Sequence, residues 1–405
     1  MPAGRPQIST QAAIIVSQDD VDTMCAQCRA EGRFAFDTEF VMEDRYEPEA
    51  CLLQIATSKS VFLIDPFLDL NLQSVWELVG DPEVETVVHA GQEDLALAVQ
   101  HTGNAPRRIF DVQVAAGLVG YEYPLSLLKL VQATRHILLH KSKTLTDWRK
   151  RPLAAAQLQY AAEDVQHLLE IHDLLHAKLS KLGRVDWARE EFARFEEITL
   201  YQRVEEDKIF RLKGTGAMKG RPLAVVRDVL AWRDRLAERY NRPARAVLKD
   251  HLLVEIARHG LASLEEIRDL RGINLRDSDI RRLGVVVRDA LDSPSDQWPT
   301  QKPREIETPH ETVLAALITA VVRSYCMEHH LAYSVVATQR SIRELIRHRA
   351  MGQPSDTDNV ELLHGWRGRS VGVTLDDVLA GRRTVRIEPV DGNLAVHVTP
   401  VLPGG

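Results

Sequence analysis

Two acidic residues stand one position apart in Phe34-Ala35-Phe36-Asp37-Thr38-Glu39-Phe40, just after apolar residues that predict a buried strand. In an extended chain, residues i and i+2 point to one face, so Asp37 and Glu39 present their carboxylates side by side. Two readings are open for this stretch. It is a solvated strand end, since acids are common near turns, or it is a site for a divalent cation, because Mg²⁺ and Mn²⁺ take hard carboxylate oxygens. Two later places offer groups for the second reading. Asp94 falls in the first turn of a helix predicted over Gln92 to His101. Tyr160 and Asp164 are four apart in a helix whose apolar stripe is Leu158, Ala161, Ala162 and Val165, which places both on one face. Alone, a Tyr-x-x-x-Asp pair usually means a surface hydrogen bond; its meaning lies in the combination.

The surrounding pattern supplies the elements that must position these groups. Ser17, followed by Asp19 and Asp20, caps a helix running to about Ala30, and Glu31-Gly32 ends it before the Phe34 strand. Cys51 to Thr57 and Ser60 to Ile64 are β-rich runs joined by Ser58-Lys59, so the acid-bearing strand is expected in a three-stranded meander. A helix is predicted over Leu72 to Val79, a strand over Val84 to His89, and an Ala90-Gly91 turn into the helix that carries Asp94. Arg108 to Asp111 reads as a short strand, with Asp111 in a structural role as N-cap of the helix Val112 to Val119. Helix continues over Ser126 to Gln132, and Lys141 to Leu153 reads as loop.

A strand with Asp-x-Glu, an Asp at a helix start and a later helix with Tyr-x-x-x-Asp together resemble the DEDD superfamily of 3′–5′ exonucleases, in its tyrosine branch. Within it the chain is similar to the ribonuclease D family. The carrying motifs are Asp37-Thr38-Glu39-Phe40, His89-Ala90-Gly91-Gln92-Glu93-Asp94-Leu95, Lys141-Ser142, Thr146-Asp147-Trp148, Arg151-Pro152-Leu153 and Tyr160-Ala161-Ala162-Glu163-Asp164-Val165. The resemblance implies an α/β domain of RNase H-like fold, a mixed sheet flanked by helices. It further implies that Asp37, Glu39, Asp94 and Asp164 hold two divalent metal ions, Mg²⁺ or Mn²⁺, to hydrolyse phosphodiesters, with Tyr160 orienting the attacking water. Thr38 and Phe40 would then lie under the terminal nucleotide, with His89 and Trp148 as further substrate contacts.

Charge divides the chain unevenly. Residues 1–207 carry 20 Lys+Arg against 33 Asp+Glu, residues 208–288 carry 19 against 10, and residues 289–405 carry 12 against 15. An acidic first part beside a basic middle fits metal chemistry in one and phosphate attraction in the other. Pro222 to Tyr240 is a strongly amphipathic helix with Val225, Val229, Leu230 and Leu236 as its buried positions. Shorter helices follow at Ala244–Leu248, His251–Arg258, Leu264–Leu270 and Ser278–Ala290, a pattern that resembles an HRDC domain. Arg233, Arg242, Arg245 and Lys249 are its candidate phosphate contacts. After a proline-rich linker, residues 311–380 echo a degenerate second HRDC repeat, and two alternating runs about Val390-Asp391-Gly392 predict a terminal β-hairpin. The expected domains are therefore an exonuclease over 1–207, whose acidic helical end over 184–207 reads as a connector to the basic module, an HRDC domain over 208–292, and a second helical module with the hairpin over 309–405.

Early apolar runs are too short for a signal peptide or a membrane span. Of four cysteines, Cys25 and Cys28 form a lone C-x-x-C with no second pair at zinc-finger spacing, read as two buried thiols on one helix face, and such sparse usage suits reducing cytoplasm. The expected partner is RNA with a free 3′ end, as in transfer-RNA precursors; no membrane is expected and no protein partner is inferable. The rivals are a DNA exonuclease of the same superfamily and a catalytically silent RNA-binding scaffold. The full set of four acids and a tyrosine argues against the second.

Overall fold

The computed structural model describes residues 12–138, 147–202, 205–300, 307–350, 360–390 and 393–401. The expectations for the tail before Gln11, for Lys141-Ser142 and Thr146, and for the turn at Asp391-Gly392 lie outside these residues. The described chain forms two compact units. One is Leu52–Tyr201 with the segments up to Glu39 and beyond Ile306; the other is Phe40–Cys51 with Gln202–Glu305. No described helix is long and apolar enough to cross a membrane.

Up to Ala193 the chain runs β1 (Ala13–Ile15), α1 (Gln18–Glu31), β2 (Arg33–Val41), β3 (Glu49–Ala56), β4 (Val61–Ile64), α2 (Gln73–Val79), β5 (Glu85–Val88), α3 (Gln92–Thr102), β6 (Ile109–Asp111), α4 (Val112–Leu118), α5 (Leu127–Arg135), α6 (Ala155–Gln166), α7 (Leu168–Lys181) and α8 (Val185–Ala193), all in the first unit except the last residues of β2 and the first of β3. The strands order as β1-β4-β3-β2-β5-β6, so β2, β3 and β4 are neighbours, as a meander requires. The sheet is mixed: β3 and β4 are antiparallel, whereas β2, β5 and β6 run parallel. Phe34, Phe36, Leu53, Ile55 and Val87 are fully buried in it, and Phe36 meets Trp76 edge-on at 6.3 Å. Register fixes where the chemistry can sit. With Ala35 opposite Val87 in parallel strands, the carboxyl ends of β2 and β5 emerge at one edge. Asp37 and Glu39 therefore lie at the edge from which β5 turns into α3.

The second unit contains α9 (Glu205–Arg211), α10 (Arg221–Tyr240), α11 (Ala244–Val247), α12 (Asp250–His259), α13 (Leu264–Arg268) and α14 (Asp277–Asp292). Val225, Val229, Leu230 and Leu236 of α10 are buried against α12 and α14 residues such as Leu253, Ile256 and Leu283. Arg233 overturns its expected role as a phosphate contact. It is only 6% exposed, and its guanidinium donates to the Leu248 carbonyl at 3.1 Å and to Asp250 at 2.7 Å. It joins α10 to the start of α12, and a guanidinium buried this deeply is not presented to a phosphate in solvent. Arg245 pairs with Asp250 at 3.0 Å but stays exposed, as do Arg242 and Lys249.

The remaining elements, α15 (Pro309–Glu328), α16 (Tyr333–Val336), α17 (Gln339–Ala350), α18 (Gly365–Arg367), α19 (Val373–Leu379) and the antiparallel hairpin β7 (Arg383–Val390) and β8 (Asn393–Pro400), belong to the first unit. Their core is continuous with that of α4, α7 and α8: Leu118, Leu175 and Phe192 share one cluster with Ile318, Leu345 and Trp366. The hairpin docks through Val385, Val396 and Val398, and Ser324 donates to the Val396 carbonyl at 2.7 Å.

The acidic segment expected to be a connector is a clasp. The Glu191 carboxylate accepts from Trp366 Nε1 at 2.7 Å and from Arg367 at 2.5 and 3.2 Å. Arg367 completes its donors on the Val335 and Val336 carbonyls at 2.7 and 3.1 Å. Glu190 accepts from the Trp366 N–H at 2.7 Å and pairs with Arg369. Gly365 sits at φ 52°, a left-handed backbone that glycine takes freely and other residues rarely adopt. Trp187 stacks on Trp366 at 4.8 Å, and Arg184 donates to the Leu118, His329 and His330 carbonyls. Glu191→Ala strands a guanidinium that is 9% exposed over the residue, so it should cost about 3 kcal/mol. Urea unfolding checks this; a loss under about 0.5 kcal/mol would mean the pair behaves as a solvated surface pair.

Candidate active site

Asp37 and Glu39 leave the end of β2 half-buried and on one face. Asp94, in the first turn of α3, is 7% exposed. Thr38 holds it: the Thr38 N–H and hydroxyl both donate to Asp94 Oδ1, at 2.9 and 2.5 Å. Thr38 was expected under a terminal nucleotide. It is 6% exposed with both donors engaged, so the residue between two acids serves to fix the third.

Asp164 and Tyr160 both come from α6, one turn apart, and the Tyr160 hydroxyl favours the charged form of the Asp164 carboxylate. The segment before α6 is pinned by Arg151. Its guanidinium forks onto Asp65, just beyond β4, at 2.5 and 2.7 Å and donates to the Trp148 carbonyl at 2.7 Å. Trp148 is 9% exposed, with its ring 6.2 Å from that of Tyr160. It braces the tyrosine from within the fold. Asp65 was not singled out from the sequence, because an acid after a strand carries no signal of a partner this distant along the chain. His89 is half-buried, and its Nε2 lies 2.9 Å from the Leu125 carbonyl. A carbonyl only accepts, so this nitrogen carries the proton. Burial lowers the His89 pKa against the opposing charge of Asp111, so the ring is neutral near pH 7. Phe40 is half-buried on the strand of the two acids.

Electrostatics tie five of these groups together. Burial, then the charges of Asp94, Asp164 and Glu39, pushes Asp37 well above the usual carboxylate range. Burial and the charges of Asp164 and Asp94 raise Glu39 to about 8. Asp164 rises to about 7 and Asp94 to about 6, both chiefly through burial, although Tyr160 and Thr38 respectively offset part of the rise. Tyr160 is pushed above its ordinary value by burial and then by Asp164, Glu39 and Asp37, so it stays a neutral phenol. Among the described residues no Lys or Arg pairs with any of the four acids. A cluster of like charges with hard oxygen donors and no counter-charge has the chemistry of a divalent-cation site. As the side chains stand, no three described His, Cys, Asp or Glu residues are arranged to hold an ion, so binding requires them to turn inward.

Comparison with known proteins agrees with this constellation. Residues 12–180 match the model of a 3′–5′ exonuclease family, and residues 223–277 match the HRDC domain. A ribonuclease D of Gluconacetobacter diazotrophicus is 30% identical over 384 residues, covering 94% of this chain and 95% of the relative. A ribonuclease D of Pseudomonas paraeruginosa is 31% identical over 360 residues, covering 88% and 94%. The crystal structure of Escherichia coli RNase D superposes with a TM-score of 0.77 at 26% identity, covering 92% of this chain and 99% of that one. With its sheet, its helical modules and its similarity running along almost the whole length, the chain belongs to the ribonuclease D family.

Proposed function

We propose that Asp37, Glu39, Asp94 and Asp164 hold two divalent ions, Mg²⁺ or Mn²⁺, and that this 3′–5′ exoribonuclease uses them to release nucleoside 5′-monophosphates from RNA. The observation that carries the reading is the uncompensated charge of the four acids at one sheet edge. When bound, the ions would supply that counter-charge, stabilise charge building on the scissile phosphate and make the attacking water more acidic.

The chain's own residues do the rest. Thr38 keeps Asp94 aimed by two hydrogen bonds. Tyr160 is a poor base with its raised pKa, so its hydroxyl holds the attacking water by a hydrogen bond, and Trp148 keeps the ring in place. The water oxygen forms its bond to phosphorus as the P–O3′ bond breaks, the water gives up a proton to solvent and the 3′ oxygen takes one up, and the terminal nucleotide leaves with its 5′-phosphate. Phe40 offers a face for the terminal base, with His89 and Trp148 at the margin. Exposed Arg242 and Lys249, and Arg245 beside Asp250, hold RNA phosphates from the helical module. The functional division is a nuclease over 1–207, a phosphate-holding module over 208–292 and a second helical module with the hairpin over 309–405. The Escherichia coli relative is an exoribonuclease involved in structured RNA processing. By family analogy the substrates here are transfer-RNA precursors with free 3′ ends, met in the cytoplasm.

With 5′-labelled RNA in Mg²⁺ or Mn²⁺, products should shorten stepwise while the label stays on the polymer, and EDTA should stop the reaction. Asp37→Asn should keep the fold and RNA affinity while turnover falls on the order of 10³-fold or more; near-wild-type turnover would end the two-metal reading. Tyr160→Phe should slow cleavage by ~10²–10⁴ with Mn²⁺ affinity unchanged by calorimetry. Loss of Mn²⁺ binding in that variant would make the tyrosine part of the ion site instead.

A further inference from the structure

We infer that Asp111 is a positioning residue for the catalytic centre, acting on Asp94 through the Ala90-Gly91 turn; the inference rests on the role proposed above for the four acids. Asp111 ends β6 and is 1% exposed. Its Oδ1 does the ordinary work of an N-cap, accepting from the Gln113 and Val114 N–H groups at 2.8 and 3.4 Å. A helix cap needs no more than that oxygen. The second oxygen faces the neighbouring strand, where Val88 pairs with Asp111. Asp111 Oδ2 accepts from the Gly91 N–H at 3.3 Å.

Ala90 and Gly91 are the turn by which β5 becomes α3, and the turn does not hold itself. Ala90 has φ 55°, a left-handed backbone that a residue with a Cβ keeps only under outside constraint. At Gly91 a Cβ would sit 2.5 Å from the Val88 Cβ, so the chain turns against Val88 with no slack. Gly91 gives α3 no side-chain cap. The entry of α3, and with it the place of Asp94 in the first turn, is therefore set by a carboxylate whose other oxygen starts α4. A charge-assisted bond from the Gly91 N–H suits that task, and its loss leaves that donor unpaired beside a strained turn. His89, which precedes the turn, is held at its far side by the Leu125 carbonyl and interacts electrostatically with the same carboxylate.

Serine caps a helix about as well as aspartate but has no second oxygen, so Asp111→Ser separates the two roles. The expected result is a folded protein melting within a few degrees of wild type, with KM for a short single-stranded RNA little changed. Turnover should fall ~10²-fold, the effect of displacing a reacting group by about an ångström. The Mn²⁺ concentration giving half the maximal thermal shift should rise ~10-fold or more, as when a metal ligand loses its support. Ala90→Gly added to Asp111→Ser should recover much of both losses, because glycine takes the left-handed turn freely. Wild-type turnover and Mn²⁺ response in Asp111→Ser, or a loss confined to melting temperature, would overturn the inference and leave Asp111 a cap only. Should the serine variant not fold, Asp111→Asn takes its place in the same measurements, with the same supporting and overturning results. Asp37→Asn run in parallel tells the two failures apart: if it stays active, the reading of the four acids has failed, and if it is dead while Asp111→Ser is normal, only the positioning role has.

Discussion

Repulsion among four carboxylates is the constraint on which the nuclease depends. Asp37, Glu39, Asp94 and Asp164 come from a strand and two helices, and each is half-buried or buried where water screens little. Left free, such groups would turn apart. What steadies Asp94 is hydrogen bonding from a neutral donor, Thr38, while the neutral Tyr160 hydroxyl favours the charged form of Asp164. Neutral donors hold an acid in place without cancelling its charge. A lysine or arginine would relieve the repulsion permanently and remove the reason for a cation to bind. The backbone thus brings the four acids near one another and leaves their charge unmatched, with the side chains still to turn inward on an ion.

The same economy of long-range pairs runs through the rest of the first unit. Arg151 and Asp65 fix the approach to α6, and Arg184, Glu190 and Glu191 fasten the C-terminal helices to α4 and α8. Arg367 is buried with each of its nitrogens engaged, an arrangement in which a charge pair specifies one docking geometry and tolerates no other. Because α4 also begins at Asp111, the C-terminal module rests on the helix that starts beside the turn into α3.

Much of this architecture was legible in the sequence. The alternation around Phe34 and Phe36 gave the acid-bearing strand, and the apolar stripe of α10 gave Val225, Val229, Leu230 and Leu236 as core. Local periodicity and capping chemistry have a signature within a few residues, and so did the family motifs. The second oxygen of Asp111, the bond from Thr38 to Asp94, the fork of Arg151 on Asp65 and the clasp on Glu191 have none, because they join residues distant in sequence. Arg233 shows the matching error: on a basic amphipathic helix it reads as a surface cation, yet it is buried, with Nη1 held by the Leu248 carbonyl and Asp250.

The claim that the acids form a site awaiting a counter-charge is tested most directly by melting temperature against pH, with and without Mn²⁺. Glu39, Asp164 and Asp94 are raised to about 8, 7 and 6 in the folded protein. A carboxylate raised on folding contributes stability that is full below its unfolded pKa of ~4 and is lost as pH climbs through its folded value. In EDTA the wild-type protein should therefore lose stability as pH rises through about 6 to 8, and Asp37→Asn should lose less. Saturating Mn²⁺ should restore it, with a gain that is small near pH ~5.5 and grows toward pH ~8 as protons cease to compete. A Mn²⁺ effect that is absent, or equal at both ends of that range, would contradict the account.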